Sequence, residues 1–185
     1  MRFSAARPDV VRAINHRWLL KFWKRHLGDL RVPRWQAIEA TDLSAMSSNL
    51  LFLDVIGSGE TARFQIRFQG ATITQVTGSA DYRGRFLDEV MPQARHAEGL
   101  PPYRHATLGH PVYPIQDAND CNGRPVHFER LLLPFAADGQ TVDRILASIE
   151  LFCEDGAFES RNLMPPDGEA LALRLAVTID PSALS

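Results

Sequence analysis

Hydrophobic and polar residues alternate strictly in the segment RFQIRFQ at residues 63–69. Side chains of a β-strand point alternately to its two faces, so this pattern predicts a strand with one buried face and one wet face. Phe64, Ile66 and Phe68 are expected on the buried face. The apolar run LLFLDVI at residues 50–56 and the turn GSGE come just before, and together they predict an antiparallel hairpin.

A long amphipathic helix is predicted near the N-terminus, from Pro8 to Gly28, because proline favours the first helical turn and glycine favours the end. Its apolar positions cover a wider arc than one stripe, so the helix is expected to touch two surfaces. We expect one surface to belong to the domain of the same chain and the other to a second copy of the chain. The alternative is a helix that is buried deeply in one larger core, which fits the same pattern. The candidate dimer-contact residues on this helix are Val11, Ile14, Trp18, Phe22 and Trp23.

The rest of the chain alternates between short irregular pieces and further strands. Residues 70–110 fit several short helical turns broken by glycine and proline. Three strand patterns follow, at residues 110–118, 124–135 and 140–152. This order predicts an α+β domain in which helices cover one face of a single antiparallel sheet. Residues 170–180 fit either a last strand or a tail that docks on the body.

The composition is that of an ordinary globular domain, with 185 residues, of which 45% are hydrophobic and 23% are charged. No run approaches the roughly 18 consecutive apolar residues of a membrane span, and the first residues lack the features of a secretory signal. Cys121 and Cys153 form neither a metal-type spacing nor a disulfide framework. The expected location is therefore a reducing cytoplasm.

Charge is distributed unevenly along the chain. The net charge is −2, but residues 1–35 carry nine Lys and Arg against two Asp and Glu, which leaves the remaining residues strongly acidic. A basic arm on an acidic body can bind nucleic acid or anionic lipid. The basic residues of this arm are interleaved with large apolar ones, so we favour packing against its own body or a second copy, and we do not expect nucleic-acid binding.

Candidate catalytic groups are sparse. The sequence has no G-x-S-x-G motif, no phosphate-binding glycine loop and no paired carboxylates on one helix face. Asp88 and Glu89 are adjacent and point to different sides, and Glu129 and Arg130 lie on opposite faces of one strand, so both pairs are interpreted as turn and edge charges. The histidines lack the spacing of a metal site. We therefore expect a protein that binds rather than catalyses.

Three segments, at residues 50–55, 63–90 and 129–151, resemble in their order the PAS superfamily, and more narrowly a proteobacterial branch of stand-alone PAS-like proteins. The positions that carry the resemblance are Arg67, Gly70, Gly78, Gly84, Leu87, Asp88, Glu89, the run from Glu129 to Pro134, Asp138 and Gly139. The resemblance covers roughly residues 35–152. It leaves residues 1–34 as an N-terminal helix and linker and residues 153–185 as a C-terminal extension.

The resemblance implies a five-stranded antiparallel sheet with short helices on one face and an N-terminal amphipathic helix that dimerises. It also implies a sensory or adaptor domain of a bacterial cytoplasm, which binds a small ligand or a partner protein and signals through dimer or surface contacts. No kinase, cyclase or helix-turn-helix segment follows, so we expect the output to pass to another protein through a surface. The alternative is a small α+β hydrophobic-ligand carrier or enzyme with a cone-shaped pocket.

A ligand pocket is expected between the sheet and the short helices, although a dry, well-packed core fits the same residues. The candidate lining residues are Phe68, Ile73, Val76, Phe86, Val90, Tyr103, Leu132 and Ile149. His105 lies near the haem-ligand position of PAS proteins, but a single histidine is more often a surface or hydrogen-bonded group. The context of Cys121, DANDCNGRPV, lacks the flavin-adduct motif, so neither haem nor flavin is expected.

Overall fold

The structure of the protein is a computed structural model, and it describes residues 1–78, 80–120, 122–153 and 168–183. The α-helices of these residues are α1 (Ile14–Leu27), α2 (Ala71–Val76), α3 (Leu87–Val90), α4 (His96–Gly99) and α5 (Pro101–Ala106). The β-strands are β1 (Ser4–Ala6), β2 (Leu50–Ile56), β3 (Arg63–Gln69), β4 (Val112–Asn119), β5 (Pro125–Phe135), β6 (Arg144–Cys153) and β7 (Ala172–Ile179). Short 3-10 helices connect several of these elements, and the longest spans Ala40–Asn49.

All seven strands form one sheet in the order β1-β7-β4-β5-β6-β2-β3. The five strands from β4 to β3 are antiparallel to their neighbours, which confirms the α+β fold with a central antiparallel sheet. The sheet has two more strands than expected, because β7 pairs antiparallel with β4 and β1 then pairs parallel with β7. The unpaired backbone groups of the β4 edge are thereby satisfied within the chain.

Both faces of the sheet are covered. The inner face, as we call it, packs against α2 to α5, and its core contains residues such as Leu53, Phe64 and Leu132. The outer face packs against α1 and the 3-10 helix at Ala40–Asn49. The α1 helix therefore lies on the face that the alternation of apolar and polar residues predicted to be wet.

A buried hydrogen bond anchors α1 to the outer face. The indole nitrogen of Trp23 donates to the carbonyl oxygen of Pro134 in β5 at 2.7 Å. Leu19, Leu20 and Phe22 are buried beside it against the outer face. The wide apolar arc of the helix is thus used mainly inside the chain. No helix among the described residues has the length and apolarity that crossing a bilayer requires.

The predicted alternation in β3 breaks at Phe68. Phe64 and Ile66 lie on the inner face as expected, but the pairing of β2 with β3 shifts register between Phe52 and Leu53. Phe68 consequently pairs with Phe52 on the outer face, where it remains 38% exposed and its ring contacts the Phe52 ring edge-on. A bulge of this kind reverses the side that the following residue takes.

The α2 helix starts where the backbone passes too close for a side chain. A Cβ atom added at Gly70 would lie 2.3 Å from the backbone oxygens of both Ser47 and Ser48. Only glycine allows this approach. The close contact brings the start of α2 against the end of the long 3-10 helix and directs α2 across the inner face.

The interpretation of Glu129 and Arg130 as edge charges is wrong, because β5 lies in the interior of the sheet between β4 and β6. Both side chains are buried. Glu129 belongs to the outer face, where it accepts a hydrogen bond from Tyr113, and Arg130 belongs to the inner face. The opposite facing of the two side chains is as the strand period predicts.

Candidate functional site

A cavity of about 100 Å³ lies between the inner face of the sheet and the short helices. Its apolar walls come from both layers: Leu51, Ile66, Ile73, Val76, Leu87, Val90, Met91, Phe128, Ile149, Leu151 and Leu171. Short helices of four to six residues fill the layer above the sheet less evenly than one long helix does, which leaves this space between them. The cavity is larger than the roughly 10–15 Å³ that one water molecule needs.

Most of the predicted pocket residues meet at this cavity. Ile73, Val76, Val90, Tyr103 and Ile149 line it. They come from four separate elements, α2, α3, α5 and β6, which meet around one space.

The other three predicted pocket residues lie elsewhere. Leu132 is fully buried in the core of the inner face beside the cavity. Phe86 lies under the guanidinium of Arg63, whose central carbon is 3.8 Å from the ring centroid. Phe68 lies on the outer face because of the register shift in β3.

The polar residues of the cavity were not predicted from the sequence. Those that line it are Gln69, Thr77, Tyr82, Arg95, Gln116 and Arg130. Arg130 could have been identified from its position in β5, where Val126, Phe128, Arg130 and Leu132 share one face by alternation. A charged residue between apolar ones on a buried face is unusual, since arginine is rarely buried without a partner.

Arg130 is held by neutral groups. One terminal nitrogen donates to the side-chain oxygen of Gln116, and the other lies 3.5 Å from both the Gly99 carbonyl oxygen and the Tyr103 hydroxyl. Its central carbon is 5.4 Å from the centroid of the Tyr103 ring, in cation–π range. Gln116 is oriented in turn by donating to the carbonyl oxygen of Glu98 at 2.7 Å.

Arg95 is the second arginine at the cavity. Its side chain is buried, and Nε donates to the backbone oxygen of Glu169 at 3.0 Å. Burial lowers the pKa of Arg95, and the Glu169 carboxylate partly offsets this effect. The cavity therefore combines mostly apolar walls with a few polar groups, which is the usual arrangement of a small-molecule site.

A buried polar cluster lies on the outer face under α1. The His16 ring is fully buried edge-on to Tyr113, with 5.8 Å between ring centroids, and neither ring nitrogen has a hydrogen-bond partner among the described residues. Burial lowers the pKa of His16 to about 4, an effect that the backbone of Ser148 offsets only in part. The Tyr113 hydroxyl donates to Glu129 at 2.5 Å, and burial together with this hydrogen bond raises the pKa of Tyr113.

The remaining histidines do not converge on the cavity. His105 stacks on Phe3 with 4.0 Å between ring centroids, and its Nε2 lies 2.8 Å from the Thr178 hydroxyl. His127 lies on the outer face and bonds Asp117 at 2.8 Å. In the part of the chain that the structure describes, no three potential metal ligands cluster together. Cys121, the candidate flavin position, lies outside the described residues, and Cys153 is half-buried at the end of β6.

Four of the five candidate dimer residues lie on α1, and Val11 lies before it, because α1 begins at Ile14 and not at Pro8 as predicted. Val11, Phe22 and Trp23 are buried within the chain. Ile14 is 77% exposed and Trp18 is 41% exposed. Because these two residues are four positions apart, they form one apolar strip on the surface of the helix.

The chain resembles known proteins in both sequence and fold. A family model described as PAS domain matches residues 11–150, from just before α1 to within β6. The crystal structure of a LOV protein from Rhodobacter sphaeroides is 15% identical and has a TM-score of 0.46, over 65% of this chain and 73% of that chain. A structure of a variant of the RsLOV protein is also 15% identical, with a TM-score of 0.42, over 64% of this chain and 72% of that chain. No curated protein matches the sequence.

Proposed function

Because the chain belongs to the PAS domain family, we propose that it is a sensory domain that binds a small ligand in the inner cavity. The domain acts by binding rather than by catalysis, and without haem or flavin. Ligand occupancy changes the packing of α2 to α5 on the sheet. The altered sheet then changes what α1 presents to a second copy or to a partner protein.

The observation that carries this proposal is the cavity itself. It has apolar walls from both the sheet and the helices, and a small set of polar groups that includes the buried Gln116 and Arg130. A core built only for stability closes such a space, because interiors are packed to the density of organic crystals. Polar groups that point into an apolar cavity are typical of a site that orients a ligand.

The β6 strand offers a physical connection between the cavity and α1. Ile149 lines the cavity on the inner face. The next residue, Glu150, points to the outer face, where it accepts hydrogen bonds from Asn15 of α1 at 2.9 Å and from Asn49 at 3.2 Å. A shift of β6 on ligand binding therefore moves the acceptor that holds the first turn of α1.

A homodimer through α1 completes the proposal. Ile14 and Trp18 are large apolar side chains left exposed on a helix whose other apolar residues are buried or partly buried. A two-fold contact between two such helices covers both strips at once. Such a contact makes the arrangement of the two chains the output of the sensor.

The ligand-binding part is tested by native mass spectrometry of the purified protein, followed by thermal-shift measurements with a panel of small neutral and charged aromatic and aliphatic compounds. We expect a copurified small molecule, or a rise in melting temperature that grows with ligand concentration. The variant Ile149→Phe fills part of the cavity and is expected to lose the shift, whereas the control Ile38→Phe on the outer face keeps it. A protein that carries no small molecule and responds to no compound contradicts the proposal.

The dimer is tested by size-exclusion chromatography with light scattering. We expect the wild type to have twice the mass of one chain and Trp18→Glu to have the mass of one chain. The control Arg83→Glu makes a larger change of charge at an exposed residue outside α1 and is expected to leave the dimer intact. A wild-type monomer over the whole concentration range contradicts this part of the proposal and leaves ligand binding to be judged separately.

A further inference from the structure

Arg130 is a buried cation whose hydrogen-bond partners within the described ranges are all uncharged. The residue is 6% exposed, on an interior strand of the sheet. Its hydrogen-bond partners are the side-chain oxygen of Gln116, the Gly99 carbonyl and the Tyr103 hydroxyl. Among the described residues, no carboxylate lies within ion-pair distance of its guanidinium.

Such an arrangement is costly for the protein alone. A charge removed from water loses several kcal/mol of solvation, and buried arginines are therefore normally paired with an acid. The neutral oxygens around Arg130 recover part of this loss, but two of its three hydrogen bonds are at the 3.5 Å limit. A guanidinium has five N–H donors in a planar fork, which matches the two oxygens of a carboxylate.

The residues around Arg130 indicate that an anionic partner for its guanidinium would be a ligand and not a side chain of the cavity wall. The residues that line the cavity include no Asp or Glu within the described ranges, and most of them are apolar. Arg95 also lines the cavity, but the nearby Glu169 carboxylate interacts with it. Arg130 is thus the cation that faces an apolar space without an acid of its own.

We propose that the ligand of this cavity is a small organic monocarboxylate, held by its carboxylate on Arg130 and by its apolar body between the sheet and the helices. The inference rests on the proposed sensory function and specifies its ligand class. A phosphate is a poorer match, because its greater charge and its three terminal oxygens require more donors than this apolar space offers. Gln116 and Tyr103 position the guanidinium rather than bind the ligand's charge.

The volume limits the size of the apolar body. The cavity holds about 100 Å³, which is less than the ~150 Å³ of an engineered apolar cavity that binds benzene. A short aliphatic chain or one aromatic ring is the largest body that fits with small adjustments of α2 and α3. Long-chain fatty acids and polycyclic compounds are excluded as ligands in this state.

The direct test compares acids with their amides of the same shape at neutral pH. Hexanoate and benzoate are titrated against hexanamide and benzamide by isothermal calorimetry with the wild-type protein. At least one acid is expected to bind roughly tenfold or more tightly than its amide, because hydrogen bonds to a charged group are stronger than those between neutral groups. Amides that bind as tightly as the acids overturn the carboxylate assignment and leave the sensory proposal standing.

Variants at Arg130 locate the charge preference. Arg130→Met is expected to remove the preference for acid over amide, and Arg130→Lys is expected to retain part of it because the charge remains. Arg83→Met, at an exposed arginine whose side chain bonds Asp81, is the matched control and is expected to bind as the wild type does. A preference for acids that survives in Arg130→Met overturns the role of Arg130. If none of the four compounds binds, the monocarboxylate inference fails, and the copurification result decides the sensory proposal independently.

Discussion

The buried His16 predicts that the protein loses stability in mild acid. Both ring nitrogens of this histidine lack hydrogen-bond partners among the described residues, and burial lowers its pKa from 6.5 to about 4. In the unfolded chain the ring is solvated and titrates near 6.5. As the pH falls below 6.5, the unfolded state therefore binds a proton that the folded state does not accept until the pH approaches 4. Stability is unaffected above this window and decreases within it.

The magnitude follows from the two pKa values. With a pKa of 6.5 in the unfolded state and of about 4 in the folded state, the unfolding free energy at pH 5 is about 2 kcal/mol lower than at pH 7. The loss reaches about 3 kcal/mol near pH 4. Tyr113 contacts the His16 ring, and its raised pKa keeps it protonated throughout this range. The Tyr113 phenol therefore adds no charge to the site.

The assay is urea denaturation of the wild type and of His16→Leu at pH 7 and pH 5. We expect the stability of the wild type to fall by about 2 kcal/mol more than that of His16→Leu over this interval. All other ionisable groups are the same in the two proteins, so their contributions cancel in the comparison. Equal losses in the two proteins refute the reasoning that His16 is buried in its neutral form.

Three further predictions concern the stability of the fold. Trp23→Phe loses the buried hydrogen bond to β5 and part of the indole volume, so we expect at least about 2 kcal/mol of destabilisation in urea denaturation. The control Trp18→Phe, at a more exposed residue, is expected to cost less than about 1 kcal/mol. Equal effects contradict the anchoring of α1. Gly70→Ala forces the backbone apart and is expected to cost about 2 kcal/mol or more in melting experiments; a neutral effect contradicts the close approach. Tyr113→Phe leaves the buried Glu129 carboxylate without its hydroxyl donor. The variant is expected to lose about 1–3 kcal/mol of unfolding free energy at pH 7, measured by urea denaturation. An unchanged midpoint contradicts that hydrogen bond.

The central sheet and its helical layer could be predicted from the sequence because their signals are local. Alternation in residues 63–69, the glycine at the start of α2 and the apolar runs of the later strands each identify an element from a few neighbouring residues. Their order then indicates one antiparallel sheet. The edge strands were less predictable: β1 is three residues long, and β7 is one of two options that residues 170–180 allowed.

The departures arise from long-range pairing. The side that Phe68 takes depends on a register shift with β2, which the alternation of β3 alone does not reveal. The burial of Arg130 depends on the position of β5 between β4 and β6, and this position follows from the strand order rather than from the segment FERLLLPF. The same dependence explains why apolar residues of the cavity such as Ile73 and Ile149 were predicted while its polar residues were missed, even though the alternation of β5 indicates the face of Arg130.

Methyl NMR of the isoleucines during a titration with hexanoate is the most direct test of the ligand site between the sheet and the helices. Ile66, Ile73 and Ile149 line the inner cavity, whereas Ile14 and Ile38 lie on α1 and beside the outer face. We expect concentration-dependent shifts of the first three methyl signals that are larger than any shift of Ile38, and smaller shifts at the same concentrations with Arg130→Met. Shifts of Ile14 or Ile38 that exceed those of the three cavity isoleucines would contradict the claim that the space between sheet and helices is the ligand site.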